Sequence, residues 1–65
     1  MKKIEEFEYL IGKDFDKSKS KLELPYILHP STIDGRPIFK TYDFNFYRVN
    51  VEVNDGKITK LVDIG

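Results

Sequence analysis

Sixty-five residues allow one domain, and a chain this short buries only about 60% of the surface it exposes when unfolded, so its stability margin is small. A composition of 40% hydrophobic and 14% aromatic residues marks a folding chain despite 34% charged residues, and the lack of cysteine excludes a disulfide framework or a thiolate metal site. Eleven basic residues balance eleven acidic ones, on either side of Glu23 alike, which excludes the clustered positive charge that non-specific nucleic-acid binding requires.

The chain starts Met1-Lys2-Lys3-Ile4-Glu5-Glu6, with the positive end of a signal peptide but glutamates where its apolar run would stand. No apolar run approaches the roughly 20 residues needed to cross a bilayer. A cytoplasmic chain is expected as written, secreted only if a leader has been removed, and no membrane partner is expected.

Ile4, Phe7, Leu10 and Ile11 stand at helical spacing among Glu5, Glu6 and Glu8, which predicts a short amphipathic helix that Gly12 ends. Asp14 is a candidate N-cap for a one- or two-turn helix reaching Lys21, although an ordered loop fits the same residues because only Phe15 and Leu22 anchor it. Lys17, Lys19 and Lys21, set among Asp14, Asp16 and Glu23, read as a solvated surface. A strand is predicted at Tyr26-Ile27-Leu28, beginning after Pro25 and stopped by Pro30. Residues 31–37 are rich in turn formers and read as a loop in which Asp34-Gly35 tolerates positive φ.

Five of the nine aromatic residues crowd between Phe39 and Tyr47. After them Val49, Val51 and Val53 alternate with Arg48, Asn50, Glu52 and Asn54, the period of a strand with one buried face. Phe44 and Phe46 are out of step with those valines, so a bulge or change of direction is predicted near Tyr47-Arg48. Asn54-Asp55-Gly56 is a hairpin turn by residue type. In the returning strand Ile58, Val62 and Ile64 are taken as one face, with Lys57, Thr59, Leu61 and Asp63 on the other.

Catalytic groups are sparse. His29 is the single histidine, the carboxylates Asp43, Glu52 and Asp63 are scattered, and the four glycines are separate turn residues that make no phosphate loop. No enzyme activity, cofactor or metal is expected. Recognition remains: the aromatic run Tyr42-Asp43-Phe44-Asn45-Phe46-Tyr47 is either core or a contact surface.

The order of motifs adds a resemblance. Leu10-Ile11-Gly12-Lys13, a strand ending in a proline-containing turn, Thr41-Tyr42-Asp43-Phe44, Arg48-Val49-Asn50-Val51-Glu52-Val53, and Ile58-Thr59-Lys60 before Gly65 together resemble the potato inhibitor I family, above all its bacterial peptidase-inhibitor relatives. The resemblance implies an α+β fold: a short N-terminal helix packed on a small mixed three-stranded sheet, with a long exposed loop between the first two strands. It further implies a serine-protease inhibitor whose loop is offered as substrate. Tyr42 would fill the specificity pocket of a chymotrypsin- or subtilisin-like enzyme, Thr41 and Asp43 would flank the scissile bond, and Phe44 would follow on the leaving side. Arg48 would brace the loop through Thr41 or Asp43, with Asn50 standing where plant members carry a second bracing arginine. The family's helix is longer than the segment 14–24 and its loop is shorter, since residues 33–39 intervene before Thr41. A second reading keeps the scaffold but makes it a small intracellular interaction module that binds a non-protease partner or pairs with itself.

Overall fold

The computed structural model describes residues 2–39 and 46–65. The described elements are two short helices and a four-stranded mixed sheet, an α+β arrangement with one strand more than the three expected.

The first helix, Ile4–Leu10, is a 3₁₀ helix. Three residues per turn place Ile4, Phe7 and Leu10 above one another on the face that meets the sheet, and leave Ile11, counted into that face at α-helical spacing, exposed. Its start is closed locally: the Lys3 N–H donates to Glu6 Oε2 at 2.7 Å and the Glu6 N–H donates to Lys3 O at 3.0 Å. Gly12 takes φ +88°, and its N–H donates to Ile58 O at 2.7 Å, so the helix ends by laying the chain against a strand edge. α1, Phe15–Lys21, begins at Asp14, whose Oδ1 accepts from the Lys17 N–H at 3.0 Å. Phe15 and Leu22, its two apolar anchors, pack against the core.

The strands are β1 (Ile27–Ile33), β2 (Arg36–Pro37), β3 (Arg48–Asn54) and β4 (Lys57–Ile64), in the spatial order β2-β1-β3-β4. β1 and β3 run parallel, and each is followed by an antiparallel neighbour. Pro30 does not stop β1. The Ile27 N–H donates to Tyr47 O, so alternation turns the amide positions of Leu28 and Pro30 away from β3, and the donor that Pro30 lacks is missing only from the outer edge. The bulge between Pro30 and Thr32 then resets the register. Residues 31–37, expected as a loop, are the end of β1, a turn and β2. Asp34 and Gly35 take φ +50° and +81°, as Asp55 and Gly56 take +52° and +76° in the β3–β4 turn, the paired positive values that two-residue hairpins favour.

The core is Phe7 and Leu10 from the 3₁₀ helix, Tyr26 and Leu28, the three valines of β3, and Ile58. Ile64, Leu61 and Ile58 stand opposite Val49, Val51 and Val53, so β4 advances three residues for every two of β3, with two register shifts. Leu61, assigned to the outer face by strict alternation, therefore packs inward, and Val62, assigned inward, is exposed. No described helix is long and apolar enough to cross a membrane.

This geometry separates two adjacent residues. Leu61→Ala is expected to lower the unfolding free energy by about 1–2 kcal/mol, scaled down from full core burial, and Val62→Ala by under about 0.5 kcal/mol. Urea denaturation compares them, and an equal or reversed ranking contradicts the three-for-two register.

Candidate functional site

The start of β3 is enclosed on both faces. Val49 is fully buried towards the helices, while Arg48 and Asn50, whose side chains were expected on an open polar face, are only 6% and 0% exposed. Glu52 is partly buried and Asn54 exposed, so the polar alternation read from the sequence holds only at the far end of the strand. The expected break before β3 is present: Phe46 and Tyr47 form a turn, and the strand begins at Arg48.

Neighbouring strands hold this point from both sides. On one side the Ile27 N–H donates to Tyr47 O at 2.9 Å; on the other the Gly65 N–H donates to Arg48 O at 2.8 Å. Between them Asn50 Nδ2 donates to Asp63 Oδ1 at 2.8 Å and to Gly65 O at 3.0 Å. Two acceptors on one end of the amide fix its orientation, since Oδ1 placed there would face lone pairs. Both Nδ2 hydrogens are thereby used. The remaining group, Asn50 Oδ1, is buried and has no hydrogen-bond partner. Asn50 can therefore brace a neighbouring segment only by accepting an N–H, whereas an arginine there would donate.

His29, Asn50 and Asp63 are register partners across β1, β3 and β4, a polar row on the sheet face opposite the helices. The pairing of Asn50 with Asp63 could not be counted from the sequence, because an unbulged hairpin about Asp55-Gly56 sets Asn50 opposite Leu61. The apolar residues at Ile58, Leu61 and Ile64, three apart, were the available signal. Among the described residues no group of three or more His, Cys, Asp or Glu side chains could hold a metal ion.

Rings lead from the core to this point. Tyr26 meets Phe7 at 5.3 Å between centroids and Tyr47 at 5.3 Å in an edge-to-face contact. Thr41, Tyr42, Asp43 and Phe44, the expected contact residues, lie outside the described residues; Arg48 and Asn50, the expected supports, stand together at the strand that follows them. Comparison with protein-family models, curated protein sequences and solved structures finds no match.

Asn50→Ala is expected to lower the unfolding free energy by about 2 kcal/mol, the two donated bonds outweighing the relief of the buried Oδ1. Asn50→Asp, close in shape, is expected to cost more, because it sets a second carboxylate at hydrogen-bond distance from Asp63. Two such groups share a proton, so the folded state binds protons more tightly than the unfolded one and the extra cost shrinks as pH falls into the carboxylate range. Thermal melts at several pH values check this, and an Asn50→Asp penalty no larger than that of Asn50→Ala contradicts it.

Proposed function

We propose that this chain inhibits serine proteases of the chymotrypsin or subtilisin type, offering the segment centred on Tyr42 as a substrate that is held too firmly to be released. The observation that carries the reading is the parallel pairing of β1 with β3, with Arg48 buried at the first residue of β3. Adjacent parallel strands need a connection that returns along the sheet, and here that connection contains Thr41, Tyr42, Asp43 and Phe44. Its return ends at a place tied to β1 through Tyr47, to β4 through Arg48, and to Asp63 and Gly65 through Asn50. An anchor at this end reduces the entropy lost when a protease binds the segment and keeps the cut end on the β3 side in place for rejoining. The potato inhibitor I scaffold, suggested by motif order, accords with the parallel pair and its long connection; the β1–β2 hairpin is an addition within that connection.

Titration of chymotrypsin and of subtilisin with the intact chain tests the proposal. The expected result is stoichiometric loss of activity with slow cleavage after Tyr42; rapid cleavage there without tight inhibition overturns it. In the same assay Arg48→Ala is expected to weaken inhibition by about tenfold or more, equivalent to ~1.4 kcal/mol, and to speed cleavage near Tyr42. Cleavage at the parental rate by a folded variant removes the bracing role. One observation favours the interaction-module reading: Phe39, 91% exposed, and Phe46, 53% exposed, flank the same segment. Full activity of both proteases at stoichiometric ratios of the intact chain supports that second reading instead.

A further inference from the structure

A second surface lies on the helical side of the molecule, away from the Arg48–Asn50 site. The end of the 3₁₀ helix and the flank of α1 enclose an open groove of about 310 Å³. Leu10 and Leu22 form its apolar floor, and the exposed ring of Tyr9 stands at one side. Its walls are held in place: the Lys13 N–H donates to Leu10 O at 3.0 Å and its carbonyl accepts from the Ile58 N–H at 2.9 Å, while the Phe15 N–H donates to Gly56 O at 2.9 Å. Along the rim stand Lys13, Lys17 and Lys21, spaced four apart in sequence, which form no ion pair among the described residues. Asp14 also borders the groove, its Oδ1 accepting from the Lys17 N–H, and three lysines against this one carboxylate leave the rim with an excess of positive charge.

We propose that this groove docks an acidic peptide segment in which carboxylates flank a bulky apolar side chain. The apolar floor takes the side chain, and the lysine row takes the carboxylates. Spacing favours a peptide over a single anionic head group. Lys17 and Lys21, helical neighbours four apart, lie about 6 Å from each other, and glutamates two apart on an extended peptide lie about 7 Å from each other, so consecutive carboxylates match this pair of lysines. An acyl chain, by contrast, finds an open trough with no enclosed channel for its tail. The proposal is independent of protease inhibition, since none of these residues borders the Tyr42 segment in sequence or shares the sheet face of Arg48 and Asn50.

Fluorescence anisotropy with a labelled hexapeptide alternating glutamate and leucine tests the groove. Saturable, salt-sensitive binding is expected, with none for the same peptide carrying lysine in place of glutamate. The double reversal Lys17→Glu, Lys21→Glu is expected to weaken binding by about tenfold or more, and Tyr9→Ala to weaken it with the lysines intact. The milder pair Lys17→Gln, Lys21→Gln, expected to lose affinity in the same direction, guards against a reversal that perturbs α1. Absence of saturable binding, equal binding of both peptides, or indifference to the lysine substitutions overturns the proposal. Sedimentation equilibrium addresses the remaining occupant: concentration-dependent dimers that the double reversal abolishes would assign the groove to a second copy of the chain, through its exposed Glu5, Glu6 and Glu8, and would overturn the peptide reading.

Discussion

The parallel contact between β1 and β3 is the constraint on which the other elements depend. It cannot be closed by a tight turn, so the chain has to travel between Ile33 and Arg48, and the sheet grows outward on both sides by hairpins instead. Both hairpins turn on Asp-Gly, and the turns are joined: the Asp34 N–H donates to Val53 O and Asp34 Oδ1 accepts from the Asp55 N–H, each at 2.8 Å. The parallel pair is therefore secured at one end by a bond between turns and at the other by the bond from Ile27 to Tyr47.

Where local chemistry decided conformation, the residues announced it. Asp14 caps α1, Gly12 and Asp55-Gly56 occupy positive φ, and the valines of β3 alternate into the core. Elements set by contacts distant in sequence were harder to read. Pro30 argues against a strand until its missing donor is known to face outward, which depends on the side from which β3 pairs. Strict alternation misplaces Leu61 and Val62, because the bulges that exchange them are specified by the register with β3. Asn50 looks like a solvent-facing residue until its bonds to Asp63 and Gly65, at the end of the chain, are known. The 3₁₀ helix lies between these cases: its three-residue spacing was present at Ile4, Phe7 and Leu10, and the adjacent Ile11 made a 3.6-residue period fit as well.

A domain this small has few ways to transmit rigidity, and Tyr26 is one of them. Its ring is buried between Phe7 and Tyr47, while its hydroxyl accepts from the Lys2 N–H at 2.7 Å. Lys2 in turn reaches Glu23 at 2.9 Å, a hydrogen bond that holds its amine above the ordinary lysine range. The first residues of the chain, the core and the turn before β3 thus share one side chain.

The two bulges of β4 matter beyond the placing of Leu61 and Ile64. β4 is an outer strand, and an outer strand of regular pleat would present evenly spaced donors and acceptors to any extended chain in solution. Here residues 12–15 occupy the first part of that edge, through the bonds of Gly12 and Phe15 and the bridge of Asp14 to Lys57, and the bulges interrupt the remainder. At the opposite margin, β2 is two residues long and ends in proline. Among the described residues both margins are thus broken, by the bulges of β4 on one side and by Pro30 and Pro37 on the other, which shortens the run of donors and acceptors that a neighbouring chain could extend.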